Sequence, residues 1–135
     1  MSNHAATIAE IYDAFGRGDV EGILSRLAED VRWEEWDDNQ GQRAGVPWLA
    51  PRRGRDGARE FFRVVGGLQL HDFRVLKMLA GEDSVAAEVV LEFTTPTGAR
   101  LRDEEVHLWT LNEEGKVVRM RHYVDTAKHI AAARG

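Results

Sequence analysis

Four long segments whose side chains alternate with a period of two fill residues 70–79, 84–94, 100–111 and 116–124, and they constrain the fold more than any other feature of the chain. The intervals between them are short and rich in turn formers: Gly81-Glu82-Asp83, Pro96-Thr97-Gly98 and Asn112-Glu113-Glu114-Gly115. Parallel neighbours need a long crossover, so strands joined this tightly run antiparallel as a meander. The half that precedes them carries a helical period, which makes the class α+β.

In that first half, Ile8, Ile11, Tyr12 and Phe15 share one helical face and predict a helix over 4–16, closed by Gly16 and Gly18. Asp19 is placed to cap a second helix with the stripe Val20, Ile23, Leu24 and Leu27. From Asp30 the period becomes two: Val31, Trp33 and Glu35 point one way, and Arg32, Glu34 and Trp36 the other. Residues 37–54 have no sustained period and read as a long loop whose one large apolar residue is Trp48. Asp56 is placed to cap a third helix with the face Ala58, Phe61, Phe62 and Val65, which Gly66 and Gly67 end. A last short helix starts at Asp125 or Thr126 and buries Ile130.

Length and composition then exclude whole classes of function. The chain has 135 residues, the size of one domain over 1–135, with 18 Lys+Arg against 23 Asp+Glu and a net charge of −5. That balance argues against general nucleic-acid binding, and Arg52, Arg53, Arg55 and Arg59 read as a solvated local cluster. No cysteine is present, which removes disulfides, thiolate metal sites and a cysteine nucleophile. No apolar run approaches the ~20 residues of a membrane span, and the start Met1-Ser2-Asn3-His4 lacks the layout of a secretion signal, so the reading is a cytoplasmic protein with no membrane partner.

Two ionisable residues fall on apolar strand faces: Glu35 beside Val31 and Trp33, and His107 beside Trp109. Burial raises a carboxylate toward the range of a general base, and apolar walls strengthen a hydrogen bond to developing negative charge. The opposing reading places Glu35 in water at a strand end and makes His107 a satisfied core histidine. Trp33, Trp48 and Trp109 fit the walls of an apolar pocket as well as a core. Asp125 serves equally as an N-cap or as a catalytic carboxylate.

The last hairpin admits two registers. A three-residue loop Glu113-Glu114-Gly115 puts Arg121 opposite His107 and gives its face to Arg119, Arg121, Tyr123 and Asp125. A two-residue loop gives that face to Val118, Met120, His122 and Val124, and a bulge would switch between the two sets midway. Both faces of 100–111 carry apolar residues, so the outer face of the sheet is expected to meet a second copy of the chain as a homodimer. Phosphate-loop, zinc-helix and nucleophile-elbow motifs are missing from the sequence. Gly54-Arg55-Asp56-Gly57 and the run Asp37, Asp38, Asn39 are ordinary loop chemistry.

The stretches Ile11-Tyr12-Asp13-Ala14-Phe15-Gly16-Arg17-Gly18-Asp19, Asp30-Val31-Arg32-Trp33, Gly54-Arg55-Asp56-Gly57-Ala58-Arg59-Glu60-Phe61-Phe62 and Gly115-Lys116-Val117-Val118-Arg119-Met120-Arg121-His122-Tyr123-Val124-Asp125 together resemble the SnoaL-like and ketosteroid-isomerase-like proteins of the nuclear transport factor 2 superfamily. The resemblance implies a cone of three helices on a curved, mixed, mainly antiparallel sheet that encloses a pocket. It puts the isomerase's carboxylate base at Glu35 and its oxyanion-hole acid, a known case of pKa tuning, at His107. The oxyanion-hole tyrosine falls on Ile11, with Tyr12 about 100° further around the helix. The aspartate that is catalytic in related cyclases and epoxide hydrolases falls on Asp125. The hydrolase's companion Arg-x-Asp pair has no counterpart among Glu88, Val90 and Glu92.

The expected function is a cofactor-independent, metal-free acid/base enzyme of isomerase, cyclase or lyase type acting on a small hydrophobic carbonyl compound. Glu35, His107 and Asp125 are the expected catalytic residues, and Tyr12, Trp33, Trp48, Trp109 and His122 the expected pocket. The alternative is a non-catalytic dimeric ligand-binding or assembly module of the same fold.

Overall fold

A computed structural model describes residues 3–135. Helix α1 (His4–Gly16) opens the chain, with the Asn3 side chain accepting from the Ala6 backbone N–H at 3.1 Å. In α2 (Val20–Leu24) Asp19 is the cap that the sequence predicts, accepting from Gly22 N–H at 2.9 Å. Leu27, expected on the α2 stripe, is instead the first residue of β1 (Leu27–Trp33), where it is fully buried. The 37–54 segment is more ordered than expected. Asn39 caps the short α3 (Gln40–Arg43), Pro47 starts a 3-10 turn (Pro47–Leu49), and β2 (Arg52–Arg53) pairs with the end of β1. Helix α4 (Gly54–Gly66) begins two residues before Asp56, so Asp56 lies in its first turn and caps nothing.

The meander follows as β3 (Gln69–Ala80), β4 (Ser84–Thr94), β5 (Arg100–Leu111) and β6 (Val117–Tyr123), and α5 (Thr126–Arg134) closes the chain. The six strands form one open sheet in the order β2-β1-β6-β5-β4-β3, antiparallel throughout except for the parallel β1–β6 pair. This is the mixed, mainly antiparallel α+β arrangement that the sequence predicts. Val85, Ala87, Val89 and Phe93 of β4 and Leu101, Trp109 and Leu111 of β5 point inward, against Ile8, Ile11, Ile23, Ala58 and Phe61 of the helices. His129 and Ala132 are the buried residues of α5, while Ile130, the expected one, is only partly covered.

The last hairpin has the three-residue loop of one reading and, through a bulge, the inward face of the other. Asn112 N–H bonds Lys116 C=O at 2.9 Å and Gly115 has φ +77°, the three-residue loop with glycine in the left-handed region. The register then shifts between Thr110 and Leu111: Leu111 pairs with Val117 but Thr110 with Arg119, so Val118 is extra. That bulge turns the strand over, and His107 faces His122 rather than Arg121.

Candidate active site: a histidine-carboxylate wall in an apolar cavity

Between the helices and the inner face of the sheet lies a cavity of about 440 Å³. Its walls are mostly aromatic and aliphatic: Trp33, Trp48, Phe61, Phe62, Phe73 and Trp109 contribute rings, joined by Ile11, Leu91, Met120 and Val124. Tyr12, Glu105, His107, His122 and His129 bring the ionisable groups into the lining. Tyr12, Trp33, Trp48, Trp109, His107 and His122 are thus brought together as the sequence predicts.

The polar groups form two chains of hydrogen bonds, one ending on Glu105 and the other on Asp103 with Glu105 alongside. Trp109 Nε1, which only donates, lies 3.0 Å from the Tyr12 hydroxyl oxygen, and Tyr12 Oη lies 2.8 Å from His107 Nδ1. The phenol therefore donates to Nδ1, and the imidazole proton sits on Nε2, 3.1 Å from Glu105 Oε1. In the second chain Trp48 Nε1 donates to His129 Nδ1 at 2.8 Å, so His129 carries its proton on Nε2. That atom is 2.8 Å from Asp103 Oδ2 and 3.0 Å from Glu105 Oε2. Asp103 also accepts from the Glu104 and Asp125 backbone N–H groups at 2.9 and 3.1 Å. The hydrogen of His129 points at Asp103, and Glu105 Oε2 has no aligned donor among the described residues.

Burial pushes the Glu105 carboxyl up, but the hydrogen bond from His107 and the nearby His129 Nε2–H, 3.0 Å from Oε2, outweigh it and hold the group below the ordinary carboxylate range. Burial drives the Tyr12 phenol well above its ordinary value. His107 is lowered by burial and by the neighbouring His122, so its ring is neutral. His122 takes the opposite direction: burial opposes its charge, yet the Glu34 carboxylate beside it raises the imidazole above its ordinary value.

Glu34 comes into this account because β1 ends in a kink. Its N–H still bonds Met120 C=O at 2.9 Å, but its φ is +58°, the only positive value at a non-glycine position among the described residues. An L side chain there costs about 1–2 kcal/mol. The Glu34 side chain offsets this by accepting from His122 N–H at 2.9 Å, His122 Nδ1 at 2.8 Å and Trp36 Nε1 at 3.3 Å. The kink also moves the alternation by one residue: Glu34 is buried, and Glu35 is turned away, its side chain 47% exposed. Arg53 at 2.8 Å and Arg32 at 3.4 Å pair with Glu35, and the Arg53 hydrogen bond holds its carboxyl below the usual range. The structure therefore does not bring Glu35 to the cavity. Asp125 also lies outside it, exposed at the N-cap position of α5 with no capping bond from its side chain. Tyr12, rather than Ile11, carries the phenol that meets His107.

Sequence reasoning missed Asp103, Glu105, His129 and Glu34. The first two share the inward period of His107 on β5, a signal that was available. The Glu34 reversal has no sequence signal, because left-handed backbone at glutamate is not encoded by residue type. Asp103, Glu105 and His129 offer three ligand atoms within 4.8 Å of one another. They do not suit a metal ion, because the Trp48 donor fixes the proton on the one His129 nitrogen that faces the two carboxylates.

The model of the SnoaL-like domain matches residues 8–120. The chain belongs to the SnoaL-like family. No curated protein sequence matches it. Among solved structures, this SnoaL-like chain is similar to an NTF2-like protein of unknown function from Burkholderia pseudomallei K96243, with 27% identity over 100% of both chains and a TM-score of 0.81. It is also similar to TerC, co-crystallized with polyporic acid, with 28% identity over 99% of this chain and 100% of that one and a TM-score of 0.76. The Δ5-3-ketosteroid isomerase of Mycobacterium sp. shares the fold, at 20% identity over 95% of this chain and 97% of that one, with a TM-score of 0.72. Among the described residues no helix is long and apolar enough to cross a membrane.

Proposed function

We propose that the chain is an acid/base enzyme of isomerase, cyclase or lyase type, acting on a small hydrophobic carbonyl compound held in the cavity. The observation that carries this reading is the juxtaposition of an aromatic cavity of about 440 Å³ with a single wall of Tyr12, Glu105, His107 and His122. The rings exclude water and strengthen any charge interaction inside, and proton transfer next to a carbonyl needs only a matched acid and base. His107 lines this wall, but both its ring nitrogens are spent on Tyr12 and Glu105. That saturation favours a second reading, a binding module that holds the ligand without turning it over.

Three tryptophans line the cavity, so their fluorescence reports occupancy. Polyporic acid and 2-tetralone, a bicyclic enolisable ketone, are expected to quench it with saturable binding, and V65W, at a lining position of α4, is expected to weaken both. Deuterium uptake into 2-tetralone, followed by proton NMR in D2O, separates the readings. Protein-dependent uptake supports the enzyme, binding without uptake leaves the module, and absence of binding sinks both.

We also propose that two copies associate through the outer sheet face, where Val106 and Tyr123 are 38% and 41% exposed. Sedimentation at micromolar concentration is expected to give twice the chain mass, and the mass of one chain would contradict it.

A further inference from the structure

We propose that His122, held by Glu34, is the catalytic group that moves the proton, and that His107 is a positioning residue. This rests on the enzyme reading above. Among the cavity-lining polar side chains, hydrogen-bond capacity is nearly exhausted: Tyr12 accepts from Trp109 and donates to His107, and His107 uses both nitrogens. His129 is spent on Trp48 and the Asp103–Glu105 pair. Glu105 Oε2 and Trp33 Nε1 lack aligned partners among the described residues, but both atoms are sealed from contact, Oε2 lies 3.0 Å from His129 Nε2, and the Trp33 indole can only donate. His122 differs. Its Nδ1 is anchored on Glu34 at 2.8 Å, and its Nε2 has no partner among the described residues. The ring lines the cavity, edge-on to His107 at 4.4 Å between centroids and against Phe61 at 5.4 Å.

An imidazole with one nitrogen on a buried carboxylate and the other open to a cavity with mostly apolar walls has the arrangement of an oriented general base. Neutral His122 takes a proton at Nε2 from the carbon next to the ligand carbonyl, and the C–H electron pair moves into the C–C bond to give the enolate. The imidazolium so formed is stabilised by Glu34. It returns a proton, the original or one exchanged with solvent water while the enolate is bound, to the same or a conjugated carbon, so no co-reactant is consumed. The His122 kink partner is held in strained backbone, which places the strain where the geometry matters.

The charged and titratable groups around the ring are Glu34 after β1 and Glu105 and His107 on β5; α1 reaches it only through Tyr12, which bonds His107, and α4 presents the uncharged Phe61. Glu34 raises the imidazole, so the uptake rate of 2-tetralone should climb with pH to a plateau whose midpoint lies above the ordinary histidine value of 6.5.

The test is deuterium uptake by 2-tetralone across pH with wild type, H122Q and E34Q, with fluorescence binding measured in parallel. H122Q is expected to bind the ketone and lose at least tenfold in uptake, and E34Q to shift the midpoint to lower pH. E34Q carries the test alone if H122Q does not fold. Uptake retained in H122Q, or a midpoint unmoved in E34Q, overturns this assignment while leaving the enzyme reading standing. Binding with no uptake in wild type overturns both.

Discussion

Glu34 and His122 are joined twice: the carboxylate accepts the backbone N–H of His122 at 2.9 Å through one oxygen and its imidazole Nδ1 at 2.8 Å through the other. One side chain thereby fixes both the strand and the ring. The link crosses the parallel β1–β6 pair, where Trp33 lies opposite Met120, so the backbone kink after Trp33 and the bulge at Val118 act on the same place. Without either irregularity, the carboxylate or the histidine would leave the inner face.

Stability should respond to pH with two opposed slopes near neutrality. His122 is raised in the folded state, so its contribution is fully present below the unfolded value of 6.5 and is lost as pH rises through the folded value. His107 is lowered, so the unfolded chain takes up a proton first and stability falls as pH drops below 6.5. Because the two windows lie on opposite sides of 6.5, the wild-type melting temperature should be highest near pH 6.5 and fall both toward acid and toward base. In E34Q the His107 slope should dominate, with stability lost toward acid; a flat profile in E34Q would contradict this balance.

Trp48 sets the tautomer of His129, and its replacement by Phe should show it. W48F leaves a buried Nδ1 without its donor, at a cost of about 1–3 kcal/mol. In wild type, ¹⁵N NMR of the imidazole should report the Nε2–H tautomer, and added zinc should leave the melting temperature unchanged. In W48F the proton is free to move to Nδ1, and a zinc-dependent rise in melting temperature is expected.

Much of this architecture was legible because it follows from period and turn chemistry. The boundaries of β4 and β5 are those that alternation predicts, and Asp19 caps α2 as its residue type suggests. The site was legible where it follows the same alternation, as at His107 and Trp109. It failed at Glu35 because a single residue with φ +58° inverted the pattern, a conformation set by tertiary hydrogen bonds rather than local preference. The β6 face was undecidable for a related reason: the loop and the bulge have opposite effects on parity, and only the buried sheet selects their combination.

Glu35 itself supplies a sharp control. It is half exposed, and its partners Arg53 and Arg32 are also solvent-facing, with side chains 66% and 42% exposed, so the pairs are screened. E35Q should leave the melting temperature, the binding of 2-tetralone and deuterium uptake at wild-type values. A loss of uptake in E35Q would show that the exposed carboxylate, not Glu34, serves the cavity.

Gly115 tests the hairpin that brings His122 to His107. Its φ of +77° closes the three-residue loop, and a Cβ there would meet nothing within 4 Å, so only backbone conformation opposes a side chain. G115A should cost about 1–2 kcal/mol, the penalty of an L residue in the left-handed region. G115N should cost less, because asparagine tolerates that region. Urea denaturation should place the three midpoints in the order wild type, G115N, G115A, with unchanged slope. Equal midpoints would mean that the loop is free to adopt another length, and the pairing of His107 with His122 would then need support from the bulge alone.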